Sequence, residues 1–276
     1  MNLVDFVKVA LKEDIPSGDI TTDGLSLGNL QGSAALFAKQ DLILSGTAAF
    51  IETFKQVDPL VQIAWNFKDG SRVTSGQIIC HISGPNPGLL KGERTALNFL
   101  GHLSGVATKT ALFVEKTKGS NTKITDTRKT TPGFRLLEKE AVLHGGGTNH
   151  RMNLSTGILV KENHIRAAGG IPNAVKTLRL RSPGLPIEVE VTNLTELNEA
   201  LSLKVERVLL DNMTLQEMKS AVEIVAGRCE TEASGNMTLD RIESVAKLGV
   251  DYISVGALTH SAANVDLSLL FNMEKK

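Results

Sequence analysis

The stretch PIEVEVTNLTELNEALSLKVERVLLDN, residues 186–212, decides the fold class of this chain. It holds two apolar runs, 186–191 and 207–212, separated by a segment whose apolar residues recur at helical spacing. Two further runs follow, CETEASG at 229–235 and DYISVGA at 251–257. Short apolar strands that recur about every 20–24 residues, with helices between them, are typical of βα units around a parallel sheet.

The same pattern extends towards the middle of the chain. KITDT at 123–127 and GILVKEN at 157–163 are two more strand candidates, which brings the number to six. No GxGxxG motif opens any of the βα units, so we predict an incomplete α/β barrel rather than an open dinucleotide-binding sheet. Helices are predicted at 195–203, 214–225 and 239–249.

The N-terminal part of the chain has a different pattern. Between residues 31 and 83, short apolar runs are broken by Gly and Asp, as expected for strands joined by turns. From residue 89 to residue 118, apolar residues recur at spacings of three, four and seven, which predicts a long helix. We expect this helix to bridge two structurally different halves.

Charge and composition exclude several classes of protein. Lys and Arg number 30, as do Asp and Glu, so the basic surplus usual in nucleic-acid-binding proteins is absent. With 41% hydrophobic and 22% charged residues, the composition is that of a globular protein. Two cysteines, Cys80 and Cys229, cannot form a disulfide scaffold. With no secretory signal and no apolar run of membrane-spanning length, we expect a soluble cytoplasmic protein.

Polar residues follow all six predicted strands at the point where each strand ends. Active sites of βα barrels gather at the C-terminal ends of the strands, so we expect these residues to form one site. The segment 123–166 also carries eight Lys and Arg against four Asp and Glu. Arg and Lys that converge make an anion pocket, the former as a planar fork and the latter as a point charge. The candidates are Arg128, Lys129, His150, Arg151 and Lys161.

Two loops of small residues end the last strands of the predicted barrel. They contain Ser234, Gly235 and Asn236 in one case and Gly256 in the other. Loops at this position in barrels often hold a phosphate with backbone N–H groups, and Gly permits the close approach. We therefore predict a phosphate site here.

Glu190 and Asp211 end neighbouring predicted strands. Paired acids inside a basic pocket have two natural uses: they hold Mg²⁺ together with substrate phosphates, or they accept hydrogen bonds from sugar hydroxyls. We expect Glu188 to point to the opposite face of the strand and to take less part in the site. The sequence contains no HxxxH, CxxC or GxSxG motif, so neither a zinc site nor a serine hydrolase is indicated.

Several stretches resemble the quinolinate phosphoribosyltransferase family. The most specific is DTRKTTPGFRLLEKEAVLHGGGTNHRMNLSTGILVKENHI at 126–165. The resemblance extends from near residue 10 to near residue 265, which is almost the whole chain. The other matching stretches are EDIPSGDITT at 13–22, LLKGERTALNFLGHLSGVAT at 89–108, IEVEVTNLTEL at 187–197, LLDNM at 209–213 and EASGNMTLDRIESVAKLGVDYISVGALTHS at 232–261.

The resemblance implies a two-domain fold and a reaction. Residues 1–105, joined by the C-terminal segment 266–276, would form an N-terminal α/β sandwich domain, and residues 106–265 an incomplete α/β barrel of six to seven strands. The protein would be a homodimer or homohexamer in which the N-terminal domain of one subunit covers the barrel mouth of its partner. The implied enzyme is a pentosyltransferase of de novo NAD biosynthesis. With Mg²⁺ it would convert quinolinate and phosphoribosyl pyrophosphate into nicotinate mononucleotide, CO₂ and pyrophosphate.

The resemblance also implies a role for each matching position. Residues that would hold quinolinate are Arg128, His150, Arg151, Lys129 and Lys161, with Arg94 supplied by the partner subunit. Residues around phosphoribosyl pyrophosphate would be Lys161, Glu190, Asp211, Ser234, Gly235, Asn236 and Gly256. Lys129, Lys161, Glu190 and Asp211 would be catalytic, and Glu190 and Asp211 would lie near Mg²⁺. The chain departs from the family at Thr148, where a second histidine is common.

Three alternatives are weighed against this interpretation. A molybdenum-transport-associated paralogue shares the barrel and part of the TRKT motif and would act on another anionic base. Nicotinate phosphoribosyltransferase, a longer relative, handles a single carboxylate, whereas Arg94, Arg128, Arg151 and Lys161 together favour a ligand with two. A non-catalytic anion-binding protein would gain nothing from Glu190 and Asp211.

Overall fold

The computed structural model describes residues 2–28 and 30–273. The chain divides into two compact units. The first falls within residues 1–111, 131–146 and 259–276, and the second within residues 112–130 and 147–258. In the described part of the chain, no helix is both long and apolar enough to cross a membrane.

The first unit is built on an antiparallel sheet of four strands. In spatial order these are β12 (Leu267–Met273), β1 (Gln31–Ala38), β5 (Ile78–Pro85) and β3 (Gln62–Trp65), while β2 (Leu42–Ile43) pairs separately with β4 (Arg72–Val73). Its helices are α1 (Leu3–Asp14), α2 (Ile20–Gly24), α3 (Thr47–Val57) and α5 (Arg135–His144), together with most of α4 (Asn86–Glu115).

One apolar core joins this sheet to two of the helices. Alternate residues of β1 are buried, as the two-residue period of a strand requires when one face is covered. The core that they enter also contains Phe50 of α3, Ile82 of β5, Leu100 of α4 and Leu269 of β12. A sheet that shares its core with helices is the predicted α/β sandwich.

The last strand described, β12, pairs antiparallel with β1, with Leu270 opposite Ala35. Residues 274–276 of the segment predicted to join the N-terminal domain lie outside the described residues. The domain borders predicted at residues 105 and 265 stay predictions. The long helix predicted over 89–118 is confirmed as α4, and its residues 112–115 belong to the second unit.

The second unit is a parallel sheet of six strands, each near a predicted position. They are β6 (Lys123–Thr125), β7 (Ile158–Val160), β8 (Ile187–Val191), β9 (Arg207–Asp211), β10 (Glu230–Ser234) and β11 (Tyr252–Ser254). The helices between them are α6 (Glu162–Ala168), α7 (Ile171–Arg181), α8 (Leu194–Ser202), α9 (Leu215–Val225) and α10 (Leu239–Ala246); α11 (Ala257–His260) follows β11.

The sheet has the strand order β6-β11-β10-β9-β8-β7, so β6 and β7 are its outer strands. Over the described residues no pairing joins those two strands, which confirms the predicted incomplete barrel. Thr148 forms a single parallel bridge with Thr125 on the free side of β6. The hydroxyl of Thr148 also donates to the carbonyl oxygen of Ile124 at 3.0 Å. The position at which the chain departs from the family therefore extends the sheet by one residue.

Candidate active site

The second unit brings nearly all of the predicted site residues to one edge of its sheet. Parallel strands present their C-terminal ends together, and Lys161, Asp211 and Ser234 stand at or just after the ends of β7, β9 and β10. Glu190 is the penultimate residue of β8. Gly256 follows β11 at the same edge. Arg94 lies on α4 in the first unit, where it is exposed.

An ion pair connects two neighbouring strands at this edge. Lys161 Nζ lies 2.8 Å from Glu190 Oε2, and the Glu190 side chain is 13% exposed. The backbone N–H of Lys161 donates to Nδ1 of His164 at 3.0 Å, which fixes the chain at the start of α6. The ammonium group of Lys161 is thus held at the C-terminal edge of the sheet while it remains exposed to solvent.

Two arginines lie close to each other in the same unit. Arg128 is half-buried, and its Nε has no hydrogen-bond partner among the described residues. Burial, followed by the positive charge of Arg128, lowers the pKa of Arg151. The Nη1 group of Arg151 donates to the carbonyl oxygen of Gly157 at 2.9 Å, which directs its guanidinium. Two half-buried cations with an unsatisfied donor have the chemistry needed to bind an anion.

His150 is held by partners on both of its ring nitrogens. Its Nδ1 accepts the backbone N–H of Arg151 at 2.7 Å, and its Nε2 lies 3.0 Å from Oε2 of Glu188. Its own backbone N–H donates to Oδ1 of the buried Asp126 at 2.9 Å. Burial lowers the pKa of His150, but the hydrogen bond to Glu188 and the charges of Glu232 and Glu188 outweigh it and raise the pKa.

The expectation for Glu188 was wrong. Side chains alternate along a strand, so residues two apart share a face, and Glu188 lies on the same face as Glu190. Glu188 is 7% exposed, and its carboxylate contacts the ring of His150.

A second buried acid lies beside Glu188. Glu232 of β10 is fully buried, and its Oε2 is 3.6 Å from His150 Nε2 and 3.3 Å from Nη1 of Arg207. Burial, followed by the charge of Glu188, raises the pKa of Glu232 to about 7. The guanidinium of Arg207 compensates this acid and also pairs with Glu230 at 2.6 Å.

Loops after β9 and β10 are joined to each other. Gly235 has φ +87°, and a Cβ at this position would lie 2.2 Å from Oδ1 of Asn212. Only glycine combines this positive φ with so short a distance to the neighbouring side chain. Arg241 of α10 donates to the carbonyl oxygens of Gly235 at 3.3 Å and of Met213 at 2.8 Å. Since those two carbonyl oxygens are occupied by Arg241, one side chain holds both loops together.

The acids at the sheet edge fit Mg²⁺ in their chemistry. Glu190 and Asp211 supply carboxylate oxygens, which this hard cation prefers. Glu190 is already paired with Lys161, and Asp211 accepts from the side-chain amide of Asn212 at 2.7 Å. The remaining ligands of an octahedral ion would have to be substrate oxygens or water.

A different cluster has the spacing of a metal site but not its hydrogen-bonding. Among the described residues, ligand atoms of His150, Glu188 and Glu232 lie within 4.8 Å of one another. Because Nδ1 of His150 accepts the N–H of Arg151, the hydrogen of the neutral ring must be on Nε2. A neutral ring that bound a cation through Nε2 would carry its hydrogen on Nδ1, opposite the N–H of Arg151, so this cluster is arranged as a hydrogen-bonded group.

Sequence reasoning missed four residues that build this site: Asp126, Glu188, Glu232 and Arg241. The two-residue period would have found Glu188 from Glu190 and Glu232 from Ser234, because each pair shares a strand face. No sequence signal marks Asp126 or Arg241, since their partners are backbone atoms distant along the chain. Lys129 is exposed, and its backbone N–H donates to the hydroxyl of Thr127 at 3.0 Å.

Comparison with known families gives two matches that together span most of the chain. Residues 19–104 match the family model described as quinolinate phosphoribosyl transferase, N-terminal domain. Residues 106–270 match the model described as quinolinate phosphoribosyl transferase, C-terminal domain.

Individual relatives agree with these matches. A chloroplastic protein of Arabidopsis thaliana, named nicotinate-nucleotide pyrophosphorylase (carboxylating), is 40% identical over 97% of this chain and 82% of its own length. A probable nicotinate-nucleotide pyrophosphorylase (carboxylating) of Bacillus subtilis is 40% identical over 93% of this chain and 89% of its own. The solved nicotinate-nucleotide pyrophosphorylase of Francisella tularensis is 41% identical, covers 98% of this chain and 96% of its own, and superimposes with a TM-score of 0.95.

Glu232→Gln should make the protein less sensitive to rising pH. The folded protein keeps a proton on Glu232, whose pKa is raised to about 7, whereas the unfolded chain releases that proton near the ordinary carboxyl pKa. This contribution to stability is complete below the unfolded pKa and is lost as the pH rises through about 7. The thermal midpoint of the variant relative to wild type should therefore rise between pH 5 and pH 8.

Glu230→Gln is the matched control, because it removes a half-exposed carboxylate from the same strand beside the same arginine. Its midpoint difference from wild type should change less between the two pH values. If the difference in thermal midpoint between Glu232→Gln and wild type stays constant, or shifts in favour of wild type as the pH rises, the raised pKa of Glu232 is contradicted.

Proposed function

The chain belongs to the quinolinate phosphoribosyltransferase family, and we propose that it transfers the phosphoribosyl group of phosphoribosyl pyrophosphate to quinolinate. The products are nicotinate mononucleotide, CO₂ and pyrophosphate, a step of de novo NAD biosynthesis. The observation that carries the proposal is the half-buried pair Arg128 and Arg151, with the unsatisfied Nε of Arg128. Quinolinate is a dianion with adjacent carboxylates, the ligand that such a pair requires.

We propose positions for the two substrates along the sheet edge. Quinolinate would lie against Arg128 and Arg151, with Lys129 and Lys161 between it and the co-substrate. The 5′-phosphate would bind at Ser234, Gly235, Asn236 and Gly256, because loops of small residues after the last strands of a barrel offer backbone N–H groups to a phosphate. This assignment is supported by the cations and the glycine loop standing at one edge of one sheet.

The chemistry begins with attack of the pyridine nitrogen on C1 of the ribose while the bond from C1 to pyrophosphate breaks. Pyrophosphate leaves with the electron pair, and positive charge develops at C1. Lys161 offsets the charge on the leaving group, while its partner Glu190 faces the ribose, and fixed charges of this kind need no reorganisation during the reaction. Alignment of nitrogen and C1 by the arginine pair lowers the entropic part of the barrier.

Mg²⁺ is proposed as a cofactor held through Glu190 and Asp211. When bound, it would neutralise charge on the departing pyrophosphate. Since Glu190 also binds Lys161, the lysine and the cation would share one carboxylate.

Loss of CO₂ is proposed to follow glycosylation. The glycosylated ring nitrogen is positive and lies next to C2, so it stabilises the electron pair that remains when the bond from C2 to the carboxylate breaks. C2 then takes up a proton on that electron pair, which completes nicotinate mononucleotide.

The related paralogue that would act on another anionic base is less well supported. Family models and relatives of about 40% identity agree on the quinolinate enzyme. For location we propose the cytoplasm, since Cys80 and Cys229 are both free thiols, as expected in a reducing compartment.

A direct assay tests the proposed function. Purified protein supplied with quinolinate, phosphoribosyl pyrophosphate and Mg²⁺ should release CO₂ and form nicotinate mononucleotide in equal amounts. Replacing quinolinate by nicotinate should abolish turnover, because one carboxylate cannot satisfy the pair of arginines. Turnover of nicotinate, or no reaction with quinolinate, would overturn the proposal.

We also propose that the protein is a homo-oligomer in which Arg94 completes the partner's site. Support comes from Arg94 itself, which is exposed on α4 and belongs to the first unit, whereas the other candidate cations belong to the second. If the site is shared, mixing inactive Arg94→Ala with inactive Lys161→Ala subunits should restore about a quarter of the wild-type activity, because half the dimers are hybrid and each holds one intact site.

The matched control mixes Arg128→Ala with Lys161→Ala. Both residues belong to the second unit of one chain, so every site of a hybrid dimer lacks one of them and no activity should return. Equal recovery in the two mixtures, or none in either despite demonstrated subunit exchange, would contradict a shared site.

A further inference from the structure

We propose that Glu188 is a positioning residue for the quinolinate site. It accepts the Nε2–H of His150 and so holds that ring in the tautomer whose Nδ1 binds the backbone N–H of Arg151. The inference rests on the proposed function, because it concerns the pocket where the carboxylates of quinolinate would bind. It assigns to His150 the task of fixing the backbone of Arg151.

Hydrogen-bond chemistry determines the state of the ring. A neutral imidazole has one nitrogen that donates and one that accepts. Nδ1 faces a backbone N–H at 2.7 Å and must accept, which leaves the hydrogen on Nε2. A carboxylate can only accept, so Glu188 at 3.0 Å selects this tautomer and disfavours the other.

Burial makes the selection effective. The side chains of His150 and Glu188 are 10% and 9% exposed, so water competes little for either group. Glu232 supplies a second carboxylate oxygen 3.6 Å from the same nitrogen, and Arg207 holds Glu232 at 3.3 Å. Arg207, Glu188, Glu232 and the ring of His150 therefore form one connected, largely buried group.

The consequence reaches the substrate pocket through Arg151. Its backbone is held by His150 and its guanidinium by the carbonyl oxygen of Gly157. If the hydrogen bond from the Arg151 N–H to His150 is lost, the backbone of Arg151 is less fixed, and so is the position of its guanidinium beside Arg128. Catalytic residues elsewhere show the same dependence on a carboxylate that fixes the histidine tautomer.

Replacing Glu188 by glutamine keeps the size and shape of the side chain but removes the preference for one tautomer of His150. Its amide can present either an oxygen or an NH₂ group to His150, so both tautomers become available. In the second tautomer Nδ1 carries a hydrogen and can no longer accept the N–H of Arg151, so the contact that holds the Arg151 backbone is lost wherever this tautomer forms.

The experiment compares Glu188→Gln with wild type by two measurements. Nitrogen NMR of ¹⁵N-histidine-labelled protein is recorded at alkaline pH, above the raised pKa of His150, so that the ring is neutral. The His150 signal, assigned by its loss in His150→Gln, should show hydrogen on Nε2 only in wild type and a population with hydrogen on Nδ1 in the variant. The KM for quinolinate should rise about tenfold, as for loss of an outer partner of a fixed histidine, with kcat and the KM for phosphoribosyl pyrophosphate changed about twofold at most.

Glu230→Gln is the matched control, because it removes a carboxylate from the same Arg207 without any contact with His150. It should leave the tautomer and both KM values as in wild type. An unchanged tautomer and an unchanged KM for quinolinate in folded Glu188→Gln would overturn the proposal.

If Glu188→Gln does not fold, the wild-type spectrum decides. A His150 ring with its hydrogen on Nδ1 contradicts the inference, and one with hydrogen on Nε2 supports it. Failure of the proposed function is a separate result, because it shows as wild-type protein that does not consume quinolinate, whereas the tautomer is read without turnover.

Discussion

Repulsion between Arg128 and Arg151 is the constraint on which the site depends. Two guanidinium groups that are half removed from water destabilise each other, and the charge of Glu188 offsets this only in part for Arg151, whose pKa is still lowered. The fold holds them together through the backbone: Arg151 is fixed by His150, and His150 by Asp126 and Glu188. A bound dianion relieves the repulsion. The same arrangement explains why a chain of zero net charge concentrates cations in residues 123–166.

Two buried acids of the same sheet, Glu188 and Glu232, carry charge opposite to that of the cationic pocket. Glu188 and Glu232 lose hydration on folding, and Arg207 together with the His150 ring offsets that loss. The buried acids Glu188 and Glu232 thus form a group of their own, separate from the cations Arg128, Arg151 and Lys161. Arg128 and Arg151 are thus left available for a ligand, whereas Lys161 at the same edge is already paired with Glu190.

Much of the fold and part of the site could be predicted from local sequence. Strand period and spacing are local properties, and all six strands of the second unit were found, as were the charged residues at their ends. The contact of Lys161 with Glu190 follows from the adjacency of β7 and β8. Predictions failed where the partner is distant in sequence. The backbone of His150 binds Asp126, and Arg241 binds two loop carbonyl oxygens. Glu188 was assigned to the wrong face, although the two-residue period places it beside Glu190.

The most direct test of the central claim is the affinity of wild type and Arg151→Ala for quinolinate and for nicotinate, measured by calorimetry. If the arginine pair exists for a dianion, the substitution should weaken quinolinate binding by about 1.5–3 kcal/mol, the range for a charged hydrogen-bond partner, and nicotinate binding much less. Equal losses for both ligands, or an unchanged affinity for quinolinate, would contradict the account.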